Sequence, residues 1–488
     1  MKNSFKTLFV REIQGAILDF RFWVVLALCL CVIPLSFYVS VKNYSQRLSD
    51  YQQEVQAYRD RTGSIGAYLA AEGVHPPSPL SIFSQGLGHK MPKKVITSRN
   101  GEYRIEYAKP DNKQDLLGEI DFAFIVAFVL SILAIVFTFS AISGDKESGV
   151  LRSILSNPVL RRQVLMAKLF GNYIVFLVPF LLSILVALLI VYISGIIPIF
   201  SKELFPFVLV MIGISLVFLF SLFSLGLWVS ALTQNSILSI NVLLLIWIVL
   251  GLVIPKLSPI IGAVIYPVES TNVFEAKKAI LRIDIEKEQY KDEGALYETL
   301  RAQHHPESRG VAGGSGLSSD WQNLNNAFDE QVKPIREKYE QQIISETERI
   351  TNDYNMRRNK QNNIARTISL FSPIHSISNL LAEFSGTGNS ETDNFMQQAK
   401  QFQTTVKQEI YDKFVVKIYR SGGSTASNTN TIDNFDPKDV PVPELDNYRH
   451  VSLAKIFQQH WMDITLLGFY SLLFFVCAFV SFLRFDVR

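Results

Sequence analysis

The chain has 488 residues, of which 48% are hydrophobic and 19% are charged, so it is too apolar for an ordinary soluble protein. Its formal net charge of +3 provides no concentrated basic face for phosphates, which excludes nucleic acid as a partner. The three cysteines all lie in apolar stretches, which excludes a disulfide framework or a zinc site in the polar regions.

The N-terminal residues 1–21 carry the pattern of an amphipathic helix. Apolar residues recur at three- and four-residue steps, while charged and amide residues occupy the other face. We interpret this segment as a helix that lies along the inner leaflet of a membrane. A cytosolic helix packed on a partner would show the same pattern, and the two interpretations are compatible.

Six nearly uncharged windows are long enough to cross a lipid bilayer, which takes about 20 helical residues. They predict transmembrane helices over residues 22–41, 122–143, 169–193, 206–232, 237–254 and 464–483. The first window is too long for a signal peptide and has no small-x-small cleavage site, so we expect an uncleaved anchor.

The distribution of basic residues predicts the orientation in the membrane. Lys and Arg are concentrated before the first span, in the loop 144–168 and in the tail 484–488. In the loop 194–205, Lys202 is the single basic residue. Since basic loops stay in the cytoplasm, both termini should be cytoplasmic. We expect a multi-pass protein of a bacterial cytoplasmic (inner) membrane.

This orientation places residues 42–121 outside the membrane as a first polar segment. It opens with a polar helical stretch, 44–61, and then breaks at a group of Gly and Pro residues. Alternating apolar residues within 95–107 predict a short β-hairpin.

The second polar segment, residues 255–463, should form a large helical domain outside the membrane. Heptad-like apolar stripes over 324–354 and 395–414 predict two long helices with complementary seams, which an earlier helix over 273–300 should join. The predicted fold class is therefore mainly α, a polytopic membrane protein with six transmembrane helices plus a largely helical extracytoplasmic domain.

The loop 144–168 between the second and third spans has the features of a mechanical connector. It predicts a short helix over 145–155, a break at Asn157-Pro158, and a second helix that continues into the third span. A rigid element of this kind can receive a push in the cytosol and pass it to a transmembrane helix.

The same loop resembles that of the type-2 family of ABC permeases, whose pattern is roughly Glu, Gly-Thr-Leu, Leu-Leu-Ser, Pro-Val-Ser-Arg and Gly-Lys. The matching residues are Glu147, Gly149, Leu151, Leu155, Ser156, Pro158, Val159, Arg161 and Lys168. The resemblance implies that this segment is the coupling helix that sits in a cleft of a separate ATPase, with Glu147, Gly149, Leu151, Leu155, Pro158 and Arg161 as the coupling residues. Val150, Leu160 and Ala167 depart from the usual Thr, Ser and Gly but are conservative in shape.

Within this family the chain looks like the gliding-motility permeases, the nitrous-oxide-reductase accessory permeases and a group with a long insert before the last span. The resemblance implies an ABC ATPase as one partner and a second permease, identical or a paralogue, as another. ATP and Mg²⁺ would bind the ATPase and not this chain. On this basis Glu147→Arg and Leu151→Asp should both abolish ATPase co-purification without affecting membrane insertion.

Motifs of catalysis are absent from the sequence. It has no Gly-x-x-x-x-Gly-Lys-[Ser/Thr] phosphate loop, no His-Glu-x-x-His helix and no Gly-x-Ser-x-Gly turn, so we expect no catalytic, cofactor or metal site. The spans also lack ionisable residues near their centres, which favours an external energy source over an ion-coupled carrier.

Three functional hypotheses remain open at this point. The first is ATP-driven export of a substrate that the sequence does not identify. The second is mechanotransmission, in which ATP hydrolysis moves the outer helices against an envelope protein and no solute crosses the membrane. The third is a passive membrane anchor for an assembly.

Overall fold

The computed structural model describes residues 2–61, 70–86, 91–98, 103–107, 120–156, 159–304, 319–406, 408, 445 and 448–484. Its elements in chain order are α1 (Lys2–Leu18), α2 (Phe20–Arg61), β1 (Ala70–Val74), β2 (Pro92–Ser98), β3 (Tyr103–Tyr107), α3 (Phe122–Phe124), α4 (Ser131–Thr138), α5 (Ser143–Glu147), α6 (Val150–Leu155), α7 (Arg161–Ser194), α8 (Phe205–Leu232), α9 (Ser236–Ile248), α10 (Ile254–Ile265), α11 (Thr271–His304), α12 (Ser319–Ser369), α13 (Pro373–Phe384), α14 (Asn389–Val406) and α15 (Leu453–Arg484). Single π-helical stretches, Ile125–Leu130 and Val249–Val253, join α3 to α4 and α9 to α10.

Six helical stretches within the described ranges are long and apolar enough to cross a membrane. They are Phe20–Asp60, Phe122–Glu147, Arg161–Ser194, Phe205–Leu232, Ser236–Ile265 and Leu453–Arg484. Each overlaps one of the six predicted windows. The predicted fold class, a mainly α polytopic membrane protein, is confirmed.

Two compact units make up the chain. The first contains Met1–Pro255 and Leu370–Arg488, and the second contains Lys256–Ser369. Residues 255–463, predicted as one outer domain, divide between the two units, because the described part of the chain from Leu370 onward belongs to the first unit. The heptad pattern indicated buried helix faces but carried no information about which partner would bury them.

Close helix packing in the first unit depends on a glycine in α8. A Cβ atom on Gly226 would lie 1.9 Å from Thr138 Oγ1 and 2.7 Å from Thr138 Cβ. The Thr138 hydroxyl already donates a hydrogen bond to the Ala134 carbonyl at 2.8 Å, so it is not free to rotate away at no cost. The absence of a side chain at Gly226 is thus what lets α4 and α8 approach each other.

We expect Gly226→Ala to lower the apparent melting temperature of the purified protein in detergent. The added methyl group must push α4 and α8 apart, at a cost of roughly 1–3 kcal/mol. Gly213→Ala is the matched control, because it lies in the same helix and its Cβ would meet nothing within 4 Å. Equal melting of the two variants would contradict this account of the contact.

A small antiparallel sheet, in the order β1-β2-β3, lies within the first polar segment, 42–121. The pairing of β2 with β3 confirms the predicted hairpin, whereas β1 was not predicted. Ala71 and Val95 of the sheet pack against an apolar stripe of α14, which consists of Phe395, Ala399, Phe402 and Val406.

The stripe on α14 was predicted to pair with the stripe over 324–354, and that prediction is wrong. The sheet covers α14, and its predicted continuation through 409–414 lies outside the described residues. In the second unit, α12 pairs instead with α11: the Phe274 and Tyr354 rings stack at 4.1 Å, and Tyr297 meets Phe328 at 5.5 Å. The two helices are therefore antiparallel.

A buried polar network joins α14 to the chain segment that leads into α15. The Glu391 carboxylate, 2% exposed, accepts hydrogen bonds from the Tyr448 hydroxyl at 2.6 Å and the Val451 amide at 3.1 Å, and its Oε1 lies 2.7 Å from His450 Nδ1. His75, which follows β1, places Nε2 3.2 Å from the Tyr448 oxygen. Four titratable side chains thus meet at one site, with the buried Glu391 carboxylate at its centre.

Candidate functional site

The loop before α7 folds as two short helices and not as the single helix predicted over 145–155. Helix α5 ends at Glu147, and α6 begins at Val150. Gly149 between them has φ of 75°, in the left-handed region where glycine carries no steric penalty. A glycine at this position therefore stops one helix and redirects the chain into the next.

The two short helices present one exposed side and one buried side. Glu147, Gly149 and Arg152 are exposed, whereas Leu151 is 1% exposed and belongs to the apolar core of the first unit. Leu155 is half-buried and packs against the same core. Leu151, one of the predicted coupling residues, has its side chain inside the core, where it anchors α6.

The remaining predicted residues lie at the edges of this feature. The Arg161 guanidinium, at the start of α7, donates to the Leu483 carbonyl of α15 at 3.0 Å. The predicted helix from the loop into the third span is observed as α7. Pro158 lies outside the described residues.

Three consecutive residues of α5 bind three different helices. Asp145 Oδ2 lies 2.5 Å from Lys168 Nζ of α7. The Lys146 ammonium donates to two carbonyls at the end of α8, those of Ala231 and, at 2.9 Å, Thr233. Glu147 Oε2 accepts from the Ser236 amide, the first residue of α9, at 3.2 Å.

The charges of these three residues fit the helix ends that they contact. A helix C-terminus carries partial negative charge and an N-terminus partial positive charge, so a lysine suits the end of α8 and a carboxylate suits the start of α9. The Ser230 hydroxyl adds to the attachment by accepting from the amides of Ile142 and Ser143 at 3.0 and 2.9 Å. Helix α5 is thus held firmly against the ends of α7, α8 and α9.

Lys168 forms the centre of a buried ion triad. Its side chain is 4% exposed, and its ammonium contacts Glu12 Oε1 of α1 at 3.1 Å as well as Asp145. Two carboxylates thus compensate one buried cation and tie α1, α5 and α7 together. A buried charge is tolerated only when it is paired in this way.

Sequence reasoning included Lys168 in the family pattern but missed its two partners and the role of Lys146. Asp145 and Lys146 immediately precede the motif, so their charge in an otherwise apolar region was a usable signal. Glu12 lies 156 positions from Lys168, and only its place on the polar face of the N-terminal helix was visible. Among the described residues, no group of three or more His, Cys, Asp or Glu side chains is arranged to hold a metal ion.

The sequence model of the family described as ABC-2 family transporter protein matches residues 7–487, which include the loop and all six candidate spans. A search of curated proteins finds no match. The chain therefore belongs to the ABC-2 family of transporter proteins, the membrane-spanning permease components of ABC transporters.

Proposed function

We propose that this chain is the permease subunit of an ATP-driven exporter in a bacterial cytoplasmic membrane, and that α5 and α6 couple it to a separate ABC ATPase. The observation that carries the proposal is the attachment of Asp145, Lys146 and Glu147 to α7, α8 and α9. A displacement applied to the exposed side of α5 would act on three candidate spans at once. This is the geometry that a coupling element requires.

The proposed contact surface consists of Glu147, Gly149 and Arg152, with Leu155 and Arg161 at its edge and Leu151 as its internal anchor. Both termini and this surface face the cytoplasm in the proposal, so the ATPase meets them from the side where ATP is present. The ATPase binds ATP and Mg²⁺ and performs the hydrolysis. A second permease chain completes the transporter.

Charge reversals on this surface test the proposal. We expect Glu147→Arg and Arg152→Glu each to lower recovery of the ATPase with the affinity-purified permease by about tenfold, the loss that about 1.4 kcal/mol of binding energy produces. Both side chains are exposed, so membrane insertion should be unchanged.

Glu203→Arg and Lys202→Glu are the matched controls, since they make the same charge changes at exposed positions in the loop between α7 and α8. They should leave recovery at the wild-type level. Leu151→Asp is a poor test because it places a charge in the core and should disturb folding itself. Full recovery of the ATPase with both Glu147→Arg and Arg152→Glu would refute the proposed contact.

A second candidate function, mechanotransmission to an envelope protein, is favoured by the dimensions of the second unit. Helices α11 and α12 contain 34 and 51 residues, which correspond to about 50 and 75 Å. Rods of this length can transmit force as well as guide cargo. ATP turnover in vesicles that moves no solute and is lost when residues 271–369 are deleted would favour this function over export.

A further inference from the structure

Helix α11 carries apolar residues on two sides, and only one of them is covered within the second unit. Phe274, Ile285 and Leu300 are buried against α12. A second stripe remains exposed, with Ile280 at 58%, Ile283 at 60% and Tyr290 at 72% exposure. At about 100° per residue, the two stripes lie on opposite sides of the helix.

The exposed stripe has the spacing of a coiled-coil seam. Its members alternate by three and four residues: Val273, Ala276, Ile280, Ile283, Lys287 and Tyr290. Single exposed apolar side chains are common on proteins, but five out of six positions of a strict heptad seam are not explained by chance exposure. Repeats of this kind are buried by another helix of the same type.

Charged residues beside the stripe indicate what that other helix is. In the heptad abcdefg, Val273, Ile280 and Lys287 occupy position a. In a parallel pair, the residue that precedes position a on one helix faces the residue five places further along the partner helix. Here Glu286 would face Lys291 of a second copy, and the symmetric contact would pair Lys291 with the second copy's Glu286. Both side chains lie beside the exposed stripe and away from the buried one, and the single polar seam residue, Lys287, fixes the register.

We propose that α11 of this chain forms a parallel two-stranded coiled coil with α11 of a second copy, over residues 273–290. The inference rests on the proposed function, in which two permease chains work together in one membrane. Two copies in one membrane are related by a twofold axis along the membrane normal, so equivalent helices that run along this axis are parallel. Helix α12 stays on the opposite side of each α11.

Cysteine cross-linking in native membranes tests the coiled coil. In a full-length chain whose Cys29, Cys31 and Cys477 are replaced by alanine, Ile283→Cys should form a disulfide-linked dimer on mild oxidation, because seam residues of a parallel pair come within disulfide distance. Glu288→Cys is the matched control: it is exposed but follows the seam residue Lys287 by one position, about 100° around the helix from it, so it should stay monomeric.

Charge reversal then tests the identity and direction of the partner helix. Glu286→Lys or Lys291→Glu, added to Ile283→Cys, should each lower the cross-linked fraction about threefold, and the double reversal should restore it. Asp284→Lys should have no effect, because a parallel pair places it opposite Ala279. Within one helix Glu286 also pairs with Arg282 at 2.8 Å, a contact that the double reversal does not restore, so recovery must come from the partner helix.

The outcomes separate this inference from the proposed function. No cross-link at Ile283→Cys, a cross-link to a different protein, or loss of cross-linking with Asp284→Lys but not with Glu286→Lys would overturn the parallel coiled coil. ATPase co-purification in the same membranes reports on the loop and not on α11. A chain that cross-links but recovers no ATPase would keep the coiled coil and refute the coupling.

Discussion

Lys168→Met is expected to leave the permease able to bind its ATPase but unable to respond to it. The exposed surface around Glu147 and Arg152 is unchanged by this substitution, so recovery of the ATPase should stay near the wild-type level. The link from α5 to α7 and α1 is lost, because Asp145 and Glu12 no longer share a cation. Binding and coupling should therefore separate in one variant.

The physical cost of this substitution comes from the two carboxylates that it leaves behind. Both are mostly buried, and removing one partner of a buried ion pair typically costs about 3–5 kcal/mol. Their partial exposure places the expected loss at the lower end of that range. The triple variant Glu12→Gln/Asp145→Asn/Lys168→Met removes the stranded charges and should recover most of the stability.

A fluorophore on Lys202→Cys, in a chain without its native cysteines, provides the measurement of coupling. This position follows α7 and is exposed, so the label reports on the end of the helix that is remote from the loop. The labelled protein with an intact ion triad should show a change in fluorescence when ATP is added, and Lys168→Met should abolish this change. We expect the triple variant to be stable but to show no ATP-dependent change in fluorescence either.

Lys256→Met serves as a control for loss of a lysine, since it lies outside the triad. A normal ATP-dependent signal from Lys168→Met would show that the ion triad does not carry the movement. If the triple variant gave a normal ATP-dependent signal and Lys168→Met did not, the movement of α7 would require the stability of the protein and not the charged contact.

The membrane-spanning part of this fold could be predicted from the sequence because its physical cause is local. A run of about 20 apolar residues must be buried in lipid or protein whatever its neighbours are. The hairpin β2–β3 and the helix α7 follow from equally local patterns. Partner choice is different: the stripe at Phe395–Val406 predicted a buried face, but the sheet that buries it is built from residues some 300 positions earlier in the chain.

In the candidate site, too, local features could be predicted from the sequence and contacts between distant residues could not. Glu147 and Gly149 were predicted as coupling residues from the family resemblance, and the turn at Gly149 was missed although glycine is the residue that permits it. Leu151 was named as a coupling residue, and its burial was not foreseen, because a family pattern does not distinguish a contact residue from an anchor. The Glu12 contact joins distant parts of the chain, and no single-sequence pattern marks it.

Glu391→Gln is expected to cause a large loss of stability in the first unit. The carboxylate accepts hydrogen bonds from the Tyr448 hydroxyl and the Val451 amide and contacts His450, whereas a glutamine amide offers one acceptor oxygen and turns an NH₂ group toward the rest. Leaving buried donors unpaired costs about 3 kcal/mol in total. The apparent melting temperature in detergent should fall clearly, whereas Glu298→Gln, at a position with 69% side-chain exposure, should melt like the wild type.

The pH dependence of the same network has a defined sign. Burial acts to raise the pKa of Glu391, but hydrogen bonds from His450, His75 and Tyr448 and the charge of His450 outweigh it and hold the pKa well below its ordinary 4.5. Burial also lowers the pKa of His75 below its ordinary 6.5, against the opposing effect of Glu391. Tyr448 is kept protonated, since burial and the adjacent carboxylate raise its pKa.

Both depressed pKa values make acid destabilising, in two successive pH ranges. The unfolded chain takes up a proton on His75 below about pH 6.5 and on Glu391 below about pH 4.5, while the folded chain resists both. The stability that Glu391 contributes is thus complete above its unfolded pKa and is lost as pH falls toward the folded value. Melting temperatures measured from about pH 7 to about pH 4 should fall throughout for the wild type, whereas those of Glu391→Gln should start lower and lose the part of the slope below about pH 4.5. Parallel curves for the two proteins across that lower range would mean that Glu391 is not the group whose protonation opens this network.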